Sequence, residues 1–138
     1  MATPFIDTNI LIRFLTGDNL RQQAAAARLL EQVERAEVTV TAPDTVIADA
    51  VFVLASRRLY NLPRPQIQAL LTPLVHLPHF HVRNRRMLLR ALTIFGDTTR
   101  LDFGDCCILA DMEQTGATQV YSFDGDFDGF AEITRIEP

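Results

Sequence analysis

Pro4-Phe5-Ile6-Asp7-Thr8-Asn9-Ile10-Leu11-Ile12 opens the chain with a short apolar run, an acid, two polar residues and renewed apolar periodicity. This pattern predicts a buried strand that delivers Asp7 to a strand-to-helix turn. Open α/β sheets keep their chemistry at such turns, at the carboxyl ends of their strands. Asp7, Thr8 and Asn9 also suit a helix N-cap, because their side chains accept hydrogen bonds from the orphan N–H groups of a first turn. Which role Asp7 has depends on whether other acids arrive at the same place.

Two further strands that run into an acid follow in the sequence. Val38-Thr39-Val40-Thr41-Ala42 is a β-branched run, hence a strand. Pro43 and Asp44 after it suit a helix start, and Val46, Ile47, Ala50, Val53 and Leu54 carry the apolar stripe towards Leu59, with Asp49 off that stripe. Near the other end, Gln119-Val120-Tyr121-Ser122-Phe123 reads as a strand followed directly by Asp124. Between these lie expected helices from Asn9 to Leu15 with a stop at Gly17, from Asp18 or Asn19 to about Glu34, through Ile67 to Leu74, from Arg85 to Phe95, and from Asp105 to Gly116. Phe80-His81-Val82 and Ile133 to Ile136 complete the strands. Alternation of strands and helices predicts an α/β fold with a mainly parallel central sheet.

At 138 residues, 48% hydrophobic and 22% charged, the chain has the composition of one globular domain, neither disordered nor membrane-bound. No apolar run approaches the roughly 20 residues that span a bilayer. No secretory pattern opens the chain, so a cytoplasmic location is expected. A net charge of −4 argues against coating nucleic acid by bulk attraction, yet suits an enzyme whose acids gather in one cleft. All 13 basic residues are arginine. Cys106 and Cys107 are adjacent inside an apolar pattern, which suits buried free thiols better than a disulfide or a zinc clamp.

If the strands ending at Asp7 and Asp124 are parallel neighbours, both carboxylates emerge at one sheet edge, and Asp49 and Asp105 can turn towards it. Four like charges so close would force protonation unless a cation compensates. Oxygen-only ligation favours Mg²⁺ or Mn²⁺, and such a centre suits phosphodiester hydrolysis. Asp102, three residues before Asp105, is either an outer-shell ligand or the helix cap. Ser122 points to the same side as Asp124 and is placed to support it. Asn9 and Asp126 are further supporting residues.

Asp124-Gly125-Asp126-Phe127-Asp128-Gly129 imitates the opening of an EF-hand loop, but Arg135 stands where the bidentate Glu belongs and a strand, not a helix, precedes it. His76, His79 and His81 lack the additional ligand spacing a zinc site needs. Arg83, Arg85, Arg86 and Arg90 form the densest basic patch, with Arg57 and Arg58 a second. Such patches are either solvated helix faces or phosphate contacts.

The chain resembles the PIN-domain family and, within it, the VapC-type ribonuclease toxins of toxin–antitoxin pairs. The resemblance spans nearly the whole length and rests on Phe5-Ile6-Asp7-Thr8-Asn9, Val46 to Leu54 around Asp49, Leu101-Asp102-Phe103-Gly104-Asp105, and Tyr121-Ser122-Phe123-Asp124-Gly125-Asp126-Phe127. It implies one PIN domain over 1–138, a single-domain α/β/α sandwich, and an acidic quartet of Asp7, Asp49, Asp105 and Asp124. It further implies Mg²⁺ or Mn²⁺, endonucleolytic cleavage of RNA, a homodimer, and a cognate antitoxin lying across the active-site groove. The second acid of the family is usually Glu, whereas this chain has Asp49, about 1.5 Å shorter in reach. A catalytically weak PIN-like module that binds RNA or protein is the alternative. A phosphoacceptor receiver domain is excluded by Thr8 after Asp7 and by the absence of lysine. A haloacid-dehalogenase-type phosphatase is excluded by Asn9.

Overall fold

In a computed structural model, which describes residues 2–138, helices carry most of the core and the strands are short. In chain order the elements are α1 (Thr8–Leu15), α2 (Leu20–Glu34), β1 (Val40–Ala42), α3 (Thr45–Ala55), α4 (Arg64–His76) and β2 (Phe80–Val82). Then follow α5 (Arg85–Asp97), α6 (Phe103–Thr115), β3 (Gln119–Tyr121), a 3₁₀ turn (Gly125–Gly129) and β4 (Thr134–Ile136). The α/β class expected from the alternation of elements is the one observed.

Helix ends follow local chemistry. Asp7 caps α1 by accepting the Ile10 N–H at 3.3 Å, and Asn19 caps α2 by accepting that of Gln22 at 3.0 Å. α1 ends at Leu15, the last residue of the expected helix, with Thr16 as C-cap just before Gly17. Gly116, at φ +76°, closes α6 in the left-handed conformation that suits glycine. Asn84 also takes that conformation, at φ +57°, while its amide donates to Asp44 at 2.8 Å. That bond joins the turn after β2 to the turn after β1.

α5 is packed between α4 and α6 and buries Met87, Leu88, Ala91, Leu92, Ile94 and Phe95. The main core continues through Leu11, Ile47, Leu54, Ile67, Leu71, Phe80 and Leu109. Each fully buried side chain of this size contributes roughly 1.5–3 kcal/mol through the apolar area it removes from water. Much of the fold's stability therefore resides in helix packing.

The sheet differs from expectation. β1 pairs in parallel with β2, in the register Val40–Phe80 to Ala42–Val82, and β3 pairs in parallel with β4, from Gln119–Thr134 to Tyr121–Ile136. These are two separate two-stranded sheets rather than one continuous central sheet. The opening strand is reduced to a bridge between Phe5 and Thr41, held by Ile6 N–H to Thr41 O at 3.0 Å and Thr41 N–H to Pro4 O at 2.9 Å. Among the described residues no ladder joins it to β3. Pro4 has no N–H to extend the pairing. The stretch is half-buried instead of buried: Ile6 turns inward, while Phe5 is 68% exposed and Asp7 faces solvent.

Candidate active site

Asp7 sits where the opening segment becomes α1, so the α1 N-terminus turns its N–H groups towards this carboxylate. Asp49 projects from the exposed side of α3, away from the buried Val46, Ile47, Ala50 and Val51. Asp7 and Asp49 line one open pocket of about 370 Å³ together with Thr8, Asn9, Phe52 and Val53. Asn9, expected as a supporting residue, is therefore on its wall.

The second pair of segments meets nearby. Asp102 is the N-cap of α6, and its Oδ1 accepts the Asp105 N–H at 2.8 Å. Of its two expected roles the structure shows the cap. Asp105 is half-buried in the first turn, and its carboxyl is held above the ordinary aspartate value. Burial is the largest cause; the negative charge of Asp102 and, further off, that of Asp124 add to it. Asp102, Asp105 and Asp124 thus lie within electrostatic reach of one another.

Asp124 follows β3 and is shaped by its own loop. Its N–H donates to Ser122 Oγ at 2.9 Å, and its Oδ1 accepts the Asp126 N–H at 2.9 Å. Ser122 therefore holds the Asp124 turn, and Asp126 closes it through its backbone N–H, while the Asp126 carboxylate lies 3.8 Å from Arg100. The 3₁₀ turn over Gly125–Gly129 replaces any EF-hand geometry. Arg135 donates to both Asp128 oxygens, at 2.9 and 3.2 Å, and to Ser122 O at 3.1 Å, pinning the turn.

The four quartet acids thus form two groups: Asp7 with Asp49, and Asp105 with Asp124. Among the described residues, no three His, Cys, Asp or Glu side chains converge closely enough to hold a metal ion. Among the described residues no ladder fixes the segment before Asp7 beside the strand before Asp124. The Asp7–Asp49 pocket and the groove that reaches the N-cap residue Asp102 nevertheless share Phe52. Its ring is 76% exposed and lines the Asp7–Asp49 pocket on one side. On the other it lines an apolar groove of about 580 Å³ that ends at Asp102, Phe103 and Gly104. In the sequence Phe52 is marked only by its spacing of three from Asp49, which places the two on one helix face.

The arginine patch is dispersed. Arg85 turns inward and donates to Leu77 O at 2.9 Å and to Phe80 O. Arg90 makes a two-pronged pair with Glu113, at 2.7 and 2.9 Å. Arg83 and Arg86 remain exposed. Of the three histidines, His79 shares a hydrogen bond with Thr39 at 3.2 Å and His81 is exposed on β2. Cys106 and Cys107 are free thiols, the first buried and the second half-buried.

No helix among the described residues is long and apolar enough to cross a membrane. A family model described as PIN domain matches residues 5–133 of the chain. Proteins with this domain are generally metal-dependent nucleases. No curated protein matched the chain.

Proposed function

We propose, starting from the fact that the chain belongs to the PIN-domain family, that it is an Mg²⁺- or Mn²⁺-dependent endoribonuclease. It acts on single-stranded RNA as the VapC-type toxin of a toxin–antitoxin pair. The observation that carries this reading is the crowding of Asp105 by Asp102 and Asp124, with Phe52 shared between the pocket of Asp7 and Asp49 and the groove that reaches Asp102.

The donor set fits a hard divalent cation, because every candidate ligand is a carboxylate oxygen. Burial first, and then the negative charge of Asp102 and Asp124, raise the Asp105 carboxyl, and a cation there relieves the repulsive part. Asp7, Asp49, Asp105 and Asp124 are the residues that would hold it. When bound, Mg²⁺ or Mn²⁺ lowers the pKa of an attacking water and offsets charge that develops on the phosphoryl oxygens.

The chain's own groups supply the rest. Asp102 fixes the first turn of α6, so Asp105 is presented from a rigid helix end. Asp124 keeps one oxygen on its own turn and the other free. Phe52 offers a flat apolar surface on which an unpaired base can stack, a contact open to single strands and closed to a duplex. Exposed Arg83 and Arg86 are suited to phosphate contacts further along a strand.

The homodimer and the cognate antitoxin belong to the same proposal. The groove lined by Ala48, Val51, Phe52, Leu62, Phe95 and Phe103 would seat an apolar antitoxin segment beside the acids. A second reading, a catalytically weak RNA- or protein-binding module, is favoured by the short reach of Asp49 and by the separation of the acids into two groups.

Cleavage of a single-stranded RNA separates the two. The proposal expects Mn²⁺-dependent cleavage that EDTA abolishes, and that Asp7→Asn and Asp105→Asn each abolish while the circular dichroism of the fold is unchanged. Wild-type activity in both purified variants would overturn it.

A further inference from the structure

Arg64 occupies the first position of α4, between Pro63 and Pro65, and is half-buried. A cation at a helix N-terminus opposes the helix dipole. Its position is accounted for by what the guanidinium does elsewhere. Nη1 donates to Phe95 O, Thr98 O and Thr98 Oγ1, each at 3.3 Å, and Nη2 donates to Leu101 O. The carbonyls at the end of α5 thereby gain the positive charge their dipole favours.

The same group stacks 4.1 Å above the Phe95 ring. Phe95 in turn meets Phe103 edge-on, with centroids 5.9 Å apart and planes at 79°. Arg64 therefore reaches the start of α6 by two routes. One is polar, through the carbonyl of Leu101 immediately before Asp102. The other is apolar, through Phe95 to Phe103 immediately after it. Asp102 then holds the Asp105 N–H. A guanidinium can do this because its planar fork supplies several donors in fixed directions, whereas an ammonium is a single point. The flanking prolines restrict the backbone from which it projects.

We propose that Arg64 is a positioning residue. Its guanidinium fixes the 98–101 loop and the chain on either side of Asp102, and so sets where Asp105 is presented to a divalent cation. This rests on the metal-dependent reading above.

The test uses the full-length chain with Arg64→Met and Arg64→Lys, and with exposed Arg58→Met as control. Mn²⁺ affinity is measured calorimetrically well below the unfolding midpoint, and amide hydrogen exchange is followed across residues 98–106. In Arg64→Met, exchange over 98–106 is expected to accelerate. Mn²⁺ should bind about 10- to 100-fold more weakly, the usual loss when support for a ligand is removed. Arg64→Lys should recover part of both losses, and Arg58→Met should change neither. A purely structural arginine would lower the unfolding midpoint and leave the Mn²⁺ affinity of the folded protein unchanged, and that result overturns the inference. If Arg64→Met does not fold, wild-type exchange and affinity in Arg64→Lys overturn it equally. Wild type that binds no Mn²⁺ brings down the metal-dependent reading and this inference with it. Binding by wild type and Arg64→Met alike brings down this inference alone.

Discussion

Asp102 Oδ1 accepts the backbone N–H of Asp105 at 2.8 Å, so the residue that caps α6 also holds in place the acid that α6 presents. The two effects of Asp102, a cap and a like charge, separate by substitution. Asparagine caps about as well as aspartate. Asp102→Asn is therefore expected to keep stability within about 0.5 kcal/mol while removing a charge that holds the Asp105 carboxyl up. The Asp105 carboxyl should then titrate at lower pH, as read by carboxyl-carbon NMR. Asp102→Ala loses the cap as well, at about 1 kcal/mol.

Asp49 shares a pocket with Asp7 but is one methylene shorter than glutamate. Asp49→Glu extends its reach by about 1.5 Å. The Mn²⁺ concentration for half-maximal RNA cleavage is expected to fall severalfold. An unchanged or increased requirement would mean that Asp49 already reaches the cation, directly or through water.

Phe52 is 76% exposed, so Phe52→Ala should alter the unfolding midpoint little. Loss of one stacked base corresponds to about 1–3 kcal/mol, or roughly 5- to 150-fold in affinity. The effect should appear in KM for single-stranded RNA with little change in kcat. Phe52→Tyr should restore it, and steady-state kinetics on a short unstructured RNA checks both.

Asp18 accepts the Tyr60 hydroxyl at 2.6 Å, Arg13 Nη1 at 2.9 Å and Thr16 Oγ1 at 3.0 Å. The Tyr60 hydrogen bond is the main reason its carboxyl lies below the ordinary aspartate value. A depressed folded value stabilises above the unfolded pKa, and the contribution is lost as pH falls through the folded one. Tyr60→Phe should therefore lower the melting temperature at neutral pH, with the gap to wild type closing as the pH drops below the aspartate range. A gap that is constant with pH would assign the effect to packing.

Burial pushes the Cys106 thiol up to about 11 and the Cys107 thiol up to about 12. Reaction with a thiolate-trapping disulfide reagent requires the anion. Neither cysteine should react within minutes at pH 8 in the folded protein, and both should react once guanidinium unfolds it. Rapid modification of native Cys107 would contradict this.

Element types were legible because local signals set them. Asn19 ahead of a long Ala-rich periodic run gave α2, and Gly116 gave the end of α6, within a residue or two. The continuity of the sheet was not legible. Strand pairing depends on which edges meet in space, and neither the Pro4–Asp7 stretch nor the Gln119–Tyr121 stretch carries a residue that names its neighbour. Asp102 could be read as a cap because its spacing to Asp105 is local. Arg85 and Arg90 could not be separated from Arg83 and Arg86, since their partners, Phe80 O and Glu113, are set by the turn after β2 and by α5–α6 packing. Arg64 gave only a faint signal, a lone cation between two prolines at the wrong end of a helix dipole. What it reaches lies more than thirty residues onward.

The division of the strands into two short sheets leaves the spacing between Asp7 and Asp124 to the helices. A hydrogen-bonded ladder would lock that distance to the fixed repeat of the peptide backbone. Here it follows from the volumes of side chains packed between α3, α5 and α6. Core residues that never touch a substrate thus act as shims: Ile94 and Leu109, buried on the packed helices α5 and α6, help seat the helix whose first turn presents Asp105.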